Sequence, residues 1–243
     1  MSIPRLFTDA PLFPGAEIPA EEGQGAYLGR VLRRRPGDAV RLFNGRDGEW
    51  EGRILSLLRD RAILRAERRL AAQRAVPAIT LLLALLKREA MEAAVQAATE
   101  LGAARILPVL ADRSVPDRVN HPRLQAIARE AAEQCERMDL PLIGDPLPLA
   151  AALAGWGEGV LFLATERGAA PSLLAAAAGA RPPLGLLVGP EGGFTPAELD
   201  AARSRPFVVP ATLGPRILRA RTAVAAGLAV LMAAAGDWNL SQG

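Results

Sequence analysis

The sequence predicts an α/β protein that carries a small all-β unit at its amino end. Three observations predict it. Residues before about 75 fall into short apolar–polar segments punctuated by turn dipeptides. Later residues alternate between apolar strand-like runs and amphipathic helical runs. Two of the later strands also end in bare glycine-proline loops. Alternation of this kind favours a mainly parallel sheet covered by helices.

The elements follow in order. "DAVRLFNG", "DGEWEGRILSLL" and "RAILRAERRL" read as strands, separated by "RPGD" and "NGRDG". Asn44-Gly45 and Asp47-Gly48 suit tight hairpins because their backbone tolerates positive φ. Val40, Leu42, Trp50, Ile54, Ile63 and Leu64 alternate roughly as half-buried strands do, so a small barrel is expected. "AAQRAVP", Ala71 to Pro77, is the connector. "AITLLLALL" follows as a buried strand, then "REAMEAAVQAATELG" as a helix closed by Gly102. "RILPVL" is the next strand. "PRLQAIAREAAEQCERM" is an amphipathic helix with Leu124, Ala128, Ala131, Cys135 and Met138 on one stripe. Glu130, Gln134 and Arg137 form a polar stripe on the same helix. "GVLFLAT", "LGLLVG" and "PFVVP" complete the strands, and an uncharged helix runs from Thr222 to Gly236.

Composition narrows the class. The 243-residue chain has a net charge of +3, and residues 1–75 hold 14 arginines against 10 carboxylates. Lys87 is the only lysine. Arginine forks onto phosphates and stacks on bases, so this bias suits a nucleic-acid partner; a GC-rich genome or a hot habitat would also produce it. One cysteine, Cys135, rules out an internal disulfide framework and suits a reducing compartment. The opening "MSIPRLFTDAPLFPG" does not read as a signal peptide. The 15-residue uncharged run at Thr222–Gly236 is short of the ~20 residues of a membrane span. A soluble cytoplasmic protein without a metal site is expected.

The two loops carry the chemistry. "LGLLV" runs into Gly189-Pro190-Glu191-Gly192-Gly193, and a helix then opens with Thr195 as N-cap, Pro196 at its first position and Glu198 completing a capping box. The loop therefore joins the carboxyl end of a parallel strand to a helix amino end, where open α/β sheets bind ligands. The spacing fits neither a Walker loop nor the dinucleotide fingerprint. "PFVVP" leads similarly into "ATLGPRILRARTAV", with Arg216, Arg219 and Arg221 ahead of the last helix. Cations oppose the dipole at that helix end, which points to an anionic or aromatic visitor.

"LLVGPEGGFTPAEL" and "LGPRILRARTA" resemble the bacterial family of 16S ribosomal RNA uridine-N3 methyltransferases, members of the knotted SPOUT superfamily. "PRLF", "YLGRVLRRRPGDAVRLFNG" and "WEGRI" resemble that family's PUA-like barrel, and "KREAMEAAVQAATELGAARILPVLADRSV" and "REAAEQCERMDLP" the first half of its catalytic domain. The resemblance implies a PUA-like, RNA-binding barrel over residues 1–72 and a SPOUT domain with a deep trefoil knot over 78–243. It also implies S-adenosylmethionine as cofactor, 16S ribosomal RNA in the small ribosomal subunit as substrate, and a homodimer.

On that resemblance Thr165, Gly189, Pro190, Glu191, Gly192, Gly193, Leu213, Gly214, Ile217 and Leu218 form the cofactor cradle. Arg216 and Arg219, with Arg5 from the barrel, are candidates to stabilise the uracil anion through its carbonyl oxygens. Arg30, Arg33, Arg34 and Arg35 are candidate phosphate contacts. His121 reads as part of a helix start, and Glu191 either accepts a proton or anchors its own loop. The chain departs from the family where Thr-Glu-Thr-Ala usually follows "RILR": Ala220, Arg221, Thr222 and Ala223 stand there. A non-catalytic ribosome-assembly protein and an enzyme acting on another RNA both remain open at this point.

Overall fold

A computed structural model describes residues 3–115, 118–157, 159–166 and 169–239. The chain divides into two compact units. Residues 1–75 and 129–140 form one, and residues 76–128 and 141–243 form the other.

The first unit is built on a five-stranded sheet, in the order β1-β3-β4-β5-β2. Its strands are β1 (Arg5–Phe7), β2 (Glu17–Pro19), β3 (Ala39–Phe43), β4 (Glu49–Leu58) and β5 (Arg61–Ala71). Only β1 and β3 run parallel. Between β2 and β3 a short helix α1 (Gln24–Ala26) continues into a wider helical turn at Tyr27–Val31. Val40, Leu42, Trp50, Ile54 and Leu64 are buried as their alternation predicts. The β3–β4 turn uses both predicted glycines, Gly45 at φ +77° and Gly48 at φ +85°. Bulges in β4–β5 shift the register between Ile54 and Ser56, and Ile63 is only half-buried there.

The second unit is an α/β sandwich. Its parallel sheet runs β12-β10-β11-β6-β7-β8, with β9 also on β7. The strands are β6 (Ile79–Ala84), β7 (Arg105–Leu110), β8 (Leu142–Ile143), β9 (Leu147–Pro148), β10 (Val160–Thr165), β11 (Leu184–Val188) and β12 (Val208–Thr212). Helices α2 (Arg88–Glu100), α3 (His121–Gln134), α5 (Leu173–Ala176) and α7 (Ala220–Ala235) supply buried residues to the core on one face. Helices α4 (Leu149–Ala154) and α6 (Pro196–Arg203) cover the other. Strands buried on both faces have no polar side to show, which is why "ITLLLA" and "LGLLV" read as continuous apolar runs.

Four expectations are corrected. Helix α3 stops at Gln134, and Glu136 takes φ +63°, so Cys135 is exposed and lies off the apolar stripe. Arg137 leaves the polar stripe for the same reason and forks onto Asp139 instead, at 2.8 and 3.1 Å. Strand β12 begins at Val208, so Pro206 and Phe207 precede it. Helix α7 begins two residues before Thr222 and takes in Arg221. Among the described residues, no helix is long and apolar enough to cross a membrane.

Candidate active site

Strands β12, β10 and β11 lie side by side and parallel, so their carboxyl ends release three loops at one edge of the sheet. A cavity of about 630 Å³ opens between those loops. That volume falls within the roughly 300–1,000 Å³ of small-molecule sites.

The loop after β11 forms one wall. Val188, Gly189, Pro190, Glu191, Gly193 and Phe194 line the cavity. A Cβ at Gly189 would stand 3.1 Å from the Phe194 ring, so the glycine lets that ring fold under the loop. Gly193, at φ +68°, donates its amide to the Pro190 carbonyl at 2.8 Å and closes a tight turn. The predicted capping box is present: the Glu198 amide donates to Thr195 Oγ1 (3.3 Å) and the Thr195 amide to Glu198 Oε2 (2.8 Å). Leu199 and Arg203, one helical turn apart on α6, extend this wall.

The loop after β12 forms the facing wall with Leu213, Arg216, Ile217, Leu218 and Arg219. Gly214, at φ +106°, sets the turn where a side chain would be strained. Arg219 is the N-cap of α7 and makes no side-chain cap; its carbonyl accepts from the Thr222 and Ala223 amides at 2.8 and 2.9 Å. Arg216 and Arg219 are exposed, and Ile217 keeps 57% of its surface in solvent. This helix end therefore gathers two guanidinium groups beside its own positive dipole end. From β10, Ala164, Thr165 and Glu166 complete the lining. The Thr165 hydroxyl donates to the Ala211 carbonyl at 3.2 Å and ties β10 to β12.

Eight of the ten cradle candidates line one cavity. Gly192 and Gly214 sit in the loops without lining it. The cavity also takes in Ala164, Glu166, Val188, Phe194, Leu199, Arg203, Ala220 and Ala223, which sequence reasoning missed. The i, i+4 spacing of Leu199 and Arg203 after the capping box was the available signal for two of them. His121 begins α3 as expected, with its Nε2 at 2.9 Å from the Ile143 carbonyl.

Arg5 is occupied elsewhere. It is 7% exposed. Its Nε donates to Glu49 at 2.6 Å, and its Nη atoms donate to the carbonyls of Ala132, Glu133 and Arg137 at 2.9, 3.3 and 3.2 Å. Its guanidinium also stacks 4.5 Å above the Phe43 ring. The bonds to Ala132 and Glu133 satisfy carbonyls in the last turn of α3, and the bond to Arg137 holds the segment beyond it, so the residue is a structural cap within the first unit. Arg30 is exposed within the helical turn, Arg33 and Arg35 are exposed in the segment after it, and Arg34 is half-buried. Arg30 meets Asp60 at 2.6 Å, with both side chains largely in solvent. Among the described residues, no group of three or more His, Cys, Asp or Glu could hold a metal ion.

Comparison with known proteins extends these observations. Residues 73–232 match the RNA methyltransferase domain family, and residues 21–67 match the RNA methyltransferase PUA domain. The ribosomal RNA small subunit methyltransferase E of Synechocystis is 35% identical over 226 residues, covering 90% of this chain and 73% of that protein. The protein of the same name from Rickettsia conorii is 29% identical over 231 residues, covering 94% and 95%. Among solved structures, a Legionella pneumophila methyltransferase with bound cofactor SAM superposes with a TM-score of 0.89 at 29% identity, covering 98% of this chain and 100% of that one. A Neisseria gonorrhoeae ribosomal RNA small subunit methyltransferase E bound to S-adenosyl methionine gives 0.87 at 26% identity, with the same coverages.

Proposed function

The chain belongs to the ribosomal RNA small subunit methyltransferase E family of RNA methyltransferases, and on that premise we propose that it methylates N3 of one uridine in 16S ribosomal RNA with S-adenosylmethionine as donor. The observation that carries this reading is the convergence of two glycine-proline loops on one cavity whose wall includes Arg216 and Arg219.

The wall fits such a donor. Val188, Leu213 and Leu218 offer an apolar surface for a flat base. Glu166 and Glu191 bring carboxylates to the lining, which would complement the positive charge of such a donor. Gly193, in the wall, has open space where a Cβ would stand. Thr165, Gly189, Pro190, Glu191, Gly193, Leu213, Ile217 and Leu218 would hold the donor, with Gly192 and Gly214 shaping the loops. When bound, S-adenosylmethionine would supply an electrophilic methyl group on a sulfonium sulfur, with a neutral thioether as its leaving group.

The remaining work belongs to the protein. The loops fix the reacting atoms in line, and orientation of this kind is a large catalytic contribution. Uracil N3 is nucleophilic only once its proton has gone to solvent. Arg216 and Arg219 hydrogen-bond the flanking uracil oxygens, where the negative charge collects. Arg5 takes no part, because its donors are engaged. Arg30, Arg33, Arg34 and Arg35 grip RNA phosphates, and residues 1–72 act as a PUA-like barrel for that purpose. Residues 78–243 form the SPOUT domain with its trefoil knot. The strand order β12-β10-β11, in which the last strand returns beyond the first of the three, supports such threading. The enzyme works in the cytoplasm as a homodimer.

The test is methyl transfer onto undermethylated small ribosomal subunits, read as 3-methyluridine by nucleoside mass spectrometry. Arg216→Ala and Arg219→Ala are expected to lower kcat by about a hundredfold or more, as loss of a donor to a developing anion does. Substituting Arg33 and Arg35 by alanine should instead weaken RNA binding and flatten its salt dependence, by up to about one log–log unit per lost phosphate contact. Methylation at uracil C5 or on ribose overturns the N3 assignment. Cofactor binding with no product on any ribosomal RNA overturns the substrate.

A further inference from the structure

A turn outside the cavity holds the Gly189–Gly193 loop in place. It follows β7 and closes on itself, with the Ser114 amide donating to the Ala111 carbonyl (2.9 Å) and the Ala111 amide to Ser114 Oγ (3.2 Å). Strand β6 separates β7 from β11 in the sheet, so this turn spans the end of β6 to reach the loop. Three bonds make the connection. Arg113 Nη1 donates to the Gly192 carbonyl at 2.9 Å. The Asp112 amide donates to Glu198 Oε1 at 2.8 Å. The Thr195 hydroxyl stands 3.3 Å from Asp112 Oδ2 and 3.1 Å from Glu198 Oε2, and shares its single proton between them. Glu198 is thereby divided. One oxygen serves the capping box and the other serves the distant turn.

The latch addresses a specific weakness. The cavity wall passes through Gly192-Gly193, and two consecutive glycines have more backbone freedom than any other pair. The Gly193–Pro190 bond and the capping box fix the two ends of this stretch. Arg113 fixes the middle. A peptide unit is planar, so holding the Gly192 carbonyl also sets the direction of the Gly193 N–H. The stem of Arg113 lies alongside, 3.5 Å from where a Cβ on Gly192 would stand. Neither Asp112 nor Arg113 lines the cavity.

We infer that Asp112 and Arg113 are positioning residues for cofactor binding, holding the Gly189–Gly193 loop in its binding shape before the cofactor arrives. The inference rests on the S-adenosylmethionine reading of the cavity. A loop released from the latch must be ordered by the ligand, which lowers affinity without touching the reacting atoms.

Calorimetry with S-adenosylmethionine, together with hydrogen exchange of the unliganded protein, tests this. Arg113→Ala should bind about tenfold more weakly and exchange faster over residues 190–194, at an unchanged melting temperature. Its kcat at saturating cofactor should stay within about twofold, so that the loss appears in KM; one hydrogen bond to a charged donor is of this order. Arg113→Lys, which can still donate to the Gly192 carbonyl, should recover most of the affinity, and Asp112→Ala, which keeps the amide bond to Glu198 and loses only the shared contact with Thr195, should weaken binding less than Arg113→Ala does. Wild-type affinity and exchange in Arg113→Ala overturn the inference. So does a loss that comes with a lowered melting temperature and is not rescued by lysine. A wild-type protein that fails to bind S-adenosylmethionine overturns the cofactor reading instead.

Discussion

Glu133 shows how one half-buried carboxylate sets a pH dependence. Burial pushes its pKa above the ordinary carboxylate range, against the opposing pull of the Phe7 amide, the Gln24 side chain and the Arg129 charge. The folded chain therefore keeps a proton at pH values where the unfolded chain has lost it. Stability from this group is present below the unfolded pKa and falls as pH rises through the folded one. Glu133→Gln keeps an oxygen to accept from Phe7 and Gln24 but has no charge to bury. Its melting temperature at pH 8 should exceed that of the wild type, at ~2–4 °C per kcal/mol for a chain of this size. The gap should close at pH 4, and thermal melts at the two pH values check it. Asp47 behaves oppositely. Hydrogen bonds from the Asn44 side chain and the Leu12 amide hold its pKa down, so its contribution is present at neutral pH and lost in acid. The behaviour of Glu133 was not legible in the sequence, because Phe7 and Gln24 are far away along the chain; for Asp47 only the Leu12 amide is distant, since Asn44 stands three residues away in the same turn. Arg5 misled for the same reason: nothing near position 5 announces the carbonyls of Ala132 and Glu133 that it caps.

Helix α3 places the last part of one element within the first unit. Residues 129–140 belong with the five-stranded sheet, where Ala132 packs with Phe7 and Phe43, and Arg129 lies 5.3 Å from the Phe7 ring. Gly45 also donates its amide to the Met138 carbonyl at 2.9 Å. A fragment of residues 1–75 thus lacks the partners of Arg5, Phe7 and Phe43. It should give a poorly dispersed amide spectrum, and a peptide of residues 129–140 added at millimolar concentration should improve the dispersion. A well-folded fragment without the peptide would contradict this. Elements set by neighbours within a turn or two were readable. The Thr195–Glu198 box, the Gly102 helix end and the Asn44–Gly48 turn all depend on residues two to four apart. The end of α3 was not readable, since Glu136 takes a positive φ without being glycine or asparagine. The Arg113 latch was equally hidden, because its bond to Gly192 joins two separate loops through tertiary structure alone.

Assembly and synthesis belong to the whole molecule. Helix α7 buries Val224, Gly227, Leu228, Leu231 and Met232 in its own unit, while Ala225, Ala226, Ala229 and Val230 are only half-buried. From Thr222 to Ala235 it has no charged side chain, and although Val230 also packs on its own core, Ala225, Ala226 and Ala229 suit close packing with another copy. Light scattering at micromolar concentration should give twice the 25.6 kDa chain mass, and a monomer mass would remove the homodimer. The sheet order has another consequence, one that arises in time. Strand β6 can pair with β7 soon after both leave the ribosome, since Thr80 meets Arg105. Its other edge waits for β11, where Ile79 meets Leu184. At about 5–20 residues per second, the intervening chain takes roughly 5–20 s to be made. For that interval the nascent protein exposes one of its most apolar strands with a row of unpaired amides and carbonyls, an invitation to chaperones and to other nascent chains alike.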